Sequence, residues 1–322
     1  MRRRKVGQLS FADGLVTSQK PDRQDVLSSI SKLADWAPIE RLVDGLYRSS
    51  RGEPAYPPLV MVKVLLLQRW YGLSDPGMEE ALSDRLSFLR FAGFALDDAT
   101  PDHSTIWRFR EALGKAGLEA ALFEEIARQL DARGLLVKRG TLVDASLVSS
   151  AARRPRFDEA KVSPADPDAR FGTSNDRGRF AFGYKLHIAT DAGSHVVRRL
   201  AVTPANVQDV SVAAEVLPDN AGTVYADRGY DSKKLRGILA DRGFGDGLMR
   251  KGQKDKPLDA AAVARNHALS PTRQQVEKVF GTMKRSYGLA RMRAFSITRV
   301  RVDLTLFAIA FNIKRWHRLA TA

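Results

Sequence analysis

The chain has 322 residues, 44% of them apolar and 28% charged, with a formal net charge of +15 and no cysteine. Its length suits two domains, or one with a large appendage. No stretch approaches the roughly 18 uncharged apolar residues of a membrane span. Without cysteine there is no disulfide framework, thiol nucleophile or thiolate zinc site. The five histidines (103, 187, 195, 267 and 317) are scattered, so any metal is to be held mainly by oxygen. An isoelectric point near 10.2 favours a polyanionic partner. Nucleic acid comes first, ahead of a generally basic ribosome-associated or membrane-surface protein.

Residues 1–22 form an expected basic, flexible tail. Met1-Arg-Arg-Arg-Lys-Val6 opens like a signal peptide, but Gly7-Gln8-Leu9-Ser10 follows where an apolar run is needed, so the chain is expected to stay in the cytoplasm. Over 23–135 the apolar period is helical, broken by turns such as Ser74-Asp75-Pro76-Gly77, which predicts an all-α domain. Within it, Pro57 to Trp70 has proline at a helix start and a broad apolar surface, as a buried scaffold helix would. Asp102 to Leu113, after the turn at Pro101, reads as the second helix of a helix-turn-helix. Thr105, Trp107, Arg108 and Arg110 would then offer groove and phosphate contacts. Alternatively Ile106, Trp107 and Phe109 are packed and only the arginines meet solvent.

The linker falls near 134–140, and 136–322 is the second domain. Strands are predicted at 141–148, 182–189, 196–202, 223–226 and 248–249, with helices at 210–217 and 232–241, an α/β order around one mixed sheet. Residues 149–181 interrupt it with a basic insertion almost devoid of apolar period, either functional or a solvated hairpin. A last helix, 297–319, has a wide apolar face and is expected to cover the sheet. No solenoid repeat is present.

An acid stands inside the apolar run Thr141-Leu-Val-Asp144-Ala-Ser-Leu-Val148. A buried carboxylate is costly, so Asp144 needs a cation, a metal or a strand edge open to a cleft. Asp227 repeats the feature at the end of Thr223-Val-Tyr-Ala226. Either acid alone could equally be a strand-end cap or a partner of a nearby arginine. A third element is predicted to begin at Ser270-Pro271, with serine as cap and proline at the first helical position, and to end near Gly288. At about 100° per residue, Arg273, Glu277 and Lys284 fall within roughly 40° of one another, with Val276, Val279, Phe280 and Met283 on the buried side. Alone, Arg273 and Glu277 could be an ordinary exposed i,i+4 pair.

Together these residues resemble the DDE transposases of bacterial insertion sequences. Their ribonuclease H-like core places one Asp on the first strand, a second after the fourth, and a Glu on a later helix. Arg273, Glu277 and Lys284 fit the signature Tyr-x2-Arg-x3-Glu-x6-Lys, with Ser270 where Tyr is expected. Val143-Asp-Ala-Ser146 and Ala226-Asp-Arg-Gly-Tyr-Asp231 are similar to blocks of the group called insertion sequence family five. So are Tyr56-Pro-Pro58 through Tyr71-Gly-Leu-Ser74, and Pro101 through Arg110. The likeness runs from about residue 40 to the end.

The resemblance implies an α/β ribonuclease H-like catalytic core behind an all-α amino-terminal DNA-binding domain. It implies Asp144, Asp227 and Glu277 as catalytic residues holding two Mg²⁺ ions, with Mn²⁺ able to substitute. The activity would be cleavage at the terminal inverted repeats of an element and joining of the 3′-hydroxyl to target DNA. A homodimer on double-stranded DNA is also implied. Arg273, Lys284, Arg285, Arg228, Arg291 and Arg293 become candidate phosphate contacts, Arg228 being equally a structural ion partner. Three rivals are a nuclease that cuts without joining, a non-catalytic DNA-binding derivative, and an RNA-binding protein. For the last, no aromatic RNP-type pattern is present.

Overall fold

The helical period of the front part resolves into seven helices among the described residues, which in this computed structural model are 3–8, 26–46, 54–156, 162–173, 180–252 and 257–321. They are α1 (Val26–Leu33), α2 (Trp36–Val43), α3 (Pro58–Trp70), α4 (Asp75–Asp84), α5 (Leu86–Ala92), α6 (His103–Lys115) and α7 (Leu118–Ala132). α3 starts with Pro58 in its first turn and buries eleven of its thirteen residues, so the scaffold helix read from its breadth of apolar surface is found as expected. Ser74 caps α4 by accepting from Gly77 N. Asp102 caps α6, its Oδ1 2.6 Å from Thr105 N. Arg3, expected in a flexible tail, instead pairs with Asp44 at 2.6 Å. Arg4 lies over the Tyr56 ring, and Gly7 N donates to Asp98. The rest of that tail, residues 1–2 and 9–22, lies outside the described residues.

The chain divides into two compact units, Met1–Gln129 with Thr305–Ala322, and Leu130–Leu304. The final helix, α12 (Ile297–Ala320), therefore corrects an expectation. From Thr305 on it belongs to the helical unit and does not simply cover the sheet. Its apolar face meets α3 there: Trp70 Nε1 donates to Ala310 O at 2.8 Å, and the Arg69 guanidinium stacks on Phe307. No helix among the described residues is long and apolar enough to cross a membrane.

In the second unit the strands are β1 (Gly140–Ser149), β2 (Arg170–Thr173), β3 (Phe180–Asp191), β4 (Val197–Pro204), β5 (Thr223–Ala226) and β6 (Gly245–Leu248). α8 (Asp209–Val216) precedes β5 and α9 (Lys233–Asp241) precedes β6. β3 runs antiparallel to β1 on one side and to β2 and β4 on the other. β5 is parallel to β1, and β6 is parallel to β5. A meander followed by two crossovers gives the main order β4-β3-β1-β5-β6, the ribonuclease H-like core. β2 is the unforeseen strand. It forms inside the 149–181 insertion, where Gly172 lets the chain lie against Ala205, since a Cβ there would stand 2.4 Å from Ala205 O. One face is covered by α8 and α9 through Val143, Ala189, Val212, Val216, Leu235 and Leu239.

The acid-bearing helix also differs from expectation. Ser270 and Pro271 do not start it; they lie in the last turn of α10 (Ala260–Arg273), which Asp259 caps at Ala262 N. Gln274 keeps a right-handed helical backbone, and α11 (Gln275–Ser286) follows at once. The alanine-rich run from Ala260, a strong helix former, carries the helix through the proline, at the cost of one i→i−4 hydrogen bond. Ser270 Oγ accepts from Gln274 Nε2.

The far end of β1 is anchored by the insertion. Asp166, fully buried, accepts from Ser150 Oγ, Tyr184 Oη and Ser296 N, while Asp168 accepts from Ile297 N. One carboxylate thus ties the strand end, β3 and the start of α12. Replacing Asp166 by alanine strands two buried hydroxyls, so Asp166→Ala should lower the unfolding free energy by about 3 kcal/mol, read as a reduced midpoint in urea denaturation.

Candidate active site

β1 is longer than the strand it pairs with. Its parallel ladder to β5 ends at Leu142–Tyr225, although β1 itself continues to Ser149. Among the described residues, that edge has no neighbouring strand beyond Leu142 until Ser149 bridges to Arg291. Asp144 is the second residue of the open stretch. Asp227 is the first after β5 ends at Ala226. The two acids therefore leave adjacent parallel strands at the same end of the sheet, where α/β sheets open their crevices. A cleft of about 860 Å³ lies there, and its wall includes Asp144, Asp227, Arg273, Glu277 and Lys284.

Asp144 is only 19% exposed through its side chain, and its Oδ1 accepts from Ala145 N at 2.8 Å. Burial pushes its carboxyl up to about 7, and the charges of Asp227 and Asp209 add to the effect; the Ala145 hydrogen bond and Arg273 oppose it. Asp227 caps the 3₁₀ turn Arg228–Tyr230, its Oδ1 2.8 Å from Gly229 N. Cap and cleft residue, the alternatives open in the sequence, coincide in one side chain. Asp231 is engaged elsewhere, with Arg236 and with Lys251 N.

α11 is held by Val276, Val279, Phe280 and Met283, all buried. Each contributes roughly 1.5–3 kcal/mol, far more than the exposed pair at its start, which is worth about 1 kcal/mol at most. The apolar face thus sets where the helix lies and leaves its charged face adjustable. Arg273 spans the two acids, Nη2 2.8 Å from Glu277 and Nη1 3.8 Å from Asp144. Arg273 is 17% exposed and Glu277 61%. Lys284, half-buried, has its ammonium pushed down by burial and partly restored by Asp144.

Of the other candidate contacts, Arg228 is exposed and lines a second groove that shares Asp227 and Lys251 with the cleft. Arg285 in the last turn of the acid-bearing helix, and Arg291 and Arg293 after it, are exposed, with Arg291 Nη2 on Ala151 O. In the helical unit, Trp107 is 45% exposed while Ile106 and Phe109 are buried. Arg108 is exposed and Thr105 half-buried, so α6 shows solvent a mixed face. Arg110 is a correction: it is 11% exposed and turned inward onto Asp75 and Gln68. That internal ion pair removes it from any surface contact. Ten residues, 93–102, separate α5 from α6, longer than the short turn of a helix-turn-helix.

Sequence reasoning passed over Lys185 and Asp209, which also line the cleft. Lys185 carries the same signal that marked Asp144, a charge inside an apolar strand. Asp209 resembles any acid in a first helical turn.

The donor set suits a hard divalent cation: carboxylates only, with the carboxyl of Asp144 pushed up to about 7 chiefly by burial. As the side chains stand, no group of three or more acidic, histidine or cysteine side chains among the described residues is close enough to hold an ion. Arg273 lies between Glu277 and Asp144.

A ribonuclease H-like sheet with acids and cations at its open edge defines a class of phosphodiester-processing enzyme. The family model described as Transposase DDE domain matches residues 136–313, and one described as Transposase domain (DUF772) matches 16–112. The chain belongs to the DDE transposase family and is a DDE transposase. Among solved structures it is similar to the piggyBac transposase synaptic complex with hairpin DNA, at 10% identity and a TM-score of 0.45, over 95% of this chain and 75% of that one. That likeness is too slight to carry weight.

The raised carboxyl of Asp144 has a thermodynamic sign. Its folded value, about 7, lies above the ordinary carboxylate range, so between pH 4 and 7 the folded state binds more protons and stability falls as pH rises. Asp144→Asn removes that loss. Without divalent ions, the variant should exceed the wild type in stability at pH 8 by up to about 4 kcal/mol, with the gap closing towards pH 4. Denaturation midpoints at the two pH values give the comparison, and equal gaps at both would contradict the assignment.

Proposed function

We propose that this transposase binds the terminal inverted repeats of an insertion sequence, cuts the element ends and joins the freed 3′-hydroxyl to target DNA. What supports the reading is the convergence of Asp144, Asp227 and Glu277 on one cleft beside Arg273 and Lys284. Asp144, Asp227 and Glu277 would hold the two Mg²⁺ ions. When bound, such ions neutralise phosphate charge and favour ionisation of the attacking hydroxyl, and Mn²⁺ should substitute.

The chain's own residues do the rest. Gly229 N holds Asp227 in place, and burial keeps the surroundings of Asp144 poor in water. Glu277, the most exposed of the acids, leaves Arg273 at small cost because the pair is a surface one. Arg273 is then released towards a phosphate, with Lys284 of α11 lining the same cleft. In cleavage, water attacks the phosphodiester and the 3′-oxygen departs. In joining, that 3′-hydroxyl attacks a target phosphodiester, one P–O bond forming as another breaks, so no external energy is needed. Arg228, Arg285, Arg291 and Arg293 supply backbone affinity without sequence choice, and Thr105, Trp107 and Arg108 on α6 are the candidates for reading the repeat. A homodimer on double-stranded DNA pairs the two ends, and the cytoplasm is the place of action.

The test is cleavage and strand transfer on a labelled duplex carrying the element's own end, with Mg²⁺ or Mn²⁺. Asp144→Ala, Asp227→Ala and Glu277→Ala should each lower both steps at least about a thousandfold while leaving binding by gel shift intact. Variants that still cut would displace the site. A wild type that cuts and never joins would make the protein a nuclease.

A further inference from the structure

Lys185 is a lysine where lysine is seldom found. It lies in the interior of β3, paired with Leu147 of β1, and its side chain is 13% exposed. Its Nζ donates to Val207 O and to Asp209 Oδ1, both at 2.8 Å. An ammonium has three N–H groups, and no acceptor among the described residues takes the third. The side chain lines the same cleft as Asp144.

An ion pair that is largely buried on the lysine side, with Asp209 32% exposed, is a poor way to fasten a strand to a helix. Desolvation of both charges offsets most of their attraction, and an apolar pair of similar volume would hold as well. The surroundings offered one, since Val143, Ala189 and Val212 form a continuous core on this side. The pairing with Leu147 puts Lys185 on the sheet face of Val143 and Ala145, opposite Asp144, because neighbouring strand residues alternate. At the open edge of β1 both faces reach the cleft. Arg273 meets it from the Asp144 side, and Lys185 from the other.

We propose that Lys185 contacts a phosphate of the DNA strand lying in the cleft, and that Asp209 is the positioning residue that aims it. The inference rests on the transposase reading and adds a cation to Arg273 and Lys284, so that the strand is gripped from both faces of the sheet. Asp209 fixes the ammonium by one hydrogen bond and Val207 O by a second, leaving the third for a phosphate oxygen.

The experiment is equilibrium binding of a labelled duplex carrying the element's end, by fluorescence anisotropy across a range of salt and without divalent ions. Each phosphate contact contributes about 0.9 to the slope of log K against log salt. Lys185→Met should reduce the slope by about that amount, and Lys185→Arg should preserve it. Asp209→Asn should weaken binding, while the double variant Lys185→Met/Asp209→Asn should bind no worse than Lys185→Met alone, as expected of residues acting through one contact. Should Lys185→Met fail to fold, Lys185→Gln, which keeps a polar tie to Asp209, is read in the same way. An unchanged slope in a folded neutral variant overturns the contact, and additive losses overturn the role of Asp209. A wild type with no salt-dependent binding overturns the DNA-binding reading and this inference with it.

Discussion

The parallel ladder between β1 and β5 stops at Leu142, seven residues before β1 itself ends, and the site depends on that mismatch. A strand edge without a neighbour presents backbone and side chains to whatever lies beside it. Here that is a cleft and not another strand. Asp144 can be almost buried and still reach open space, and Asp227 follows the last residue of the shorter strand. Extending β5 by a few residues would cover the edge and close the cleft.

Around that edge, apolar and charged groups have separate tasks. The helix α11 is fixed by four buried apolar side chains, so Glu277 and Lys284 are delivered to the cleft without having to contribute to its stability, while Arg273 reaches it from the end of α10. Asp144 pays for its position with a carboxyl pushed up to about 7. Arg273 shields it at 3.8 Å, within ion-pair range but too far for a hydrogen bond. A centre with acids under mutual repulsion and cations within reach is prepared for positively charged and phosphate-bearing partners together. Lys185 and Asp209 extend the same arrangement to the opposite face of the sheet.

The frame that holds the edge still is less visible. Asp166 binds the strand end, β3 and the start of α12 through three hydrogen bonds. An insertion that looked like a solvated loop thereby contributes a buried anchor and a sixth strand. The last helix contributes to both units, its residues from Thr305 on packing with α3. A contiguous 136–322 domain is simpler than what the contacts show.

Local pattern made much of this legible. Alternating apolar residues announced β1, β3 and β5 nearly to the residue, and helical period announced α3 and the buried face of α11, because those signals repeat within a few positions. An acid inside an apolar strand pointed to Asp144 for an energetic reason, the cost of burying a charge. Other features were beyond reach because their causes are distant in sequence. Arg110 turns inward because Asp75 lies across from it. Asp209 gains significance only when Lys185, 24 residues earlier, crosses to meet it. Ser270 and Pro271 carry the right residue types for a helix start, yet the alanine-rich segment before them was already helical. Residue chemistry and short-range period chose the elements and the acids, whereas which charges face the cleft and which face each other was decided by packing, since a side chain's partner is set by the fold and not by its neighbours in the chain.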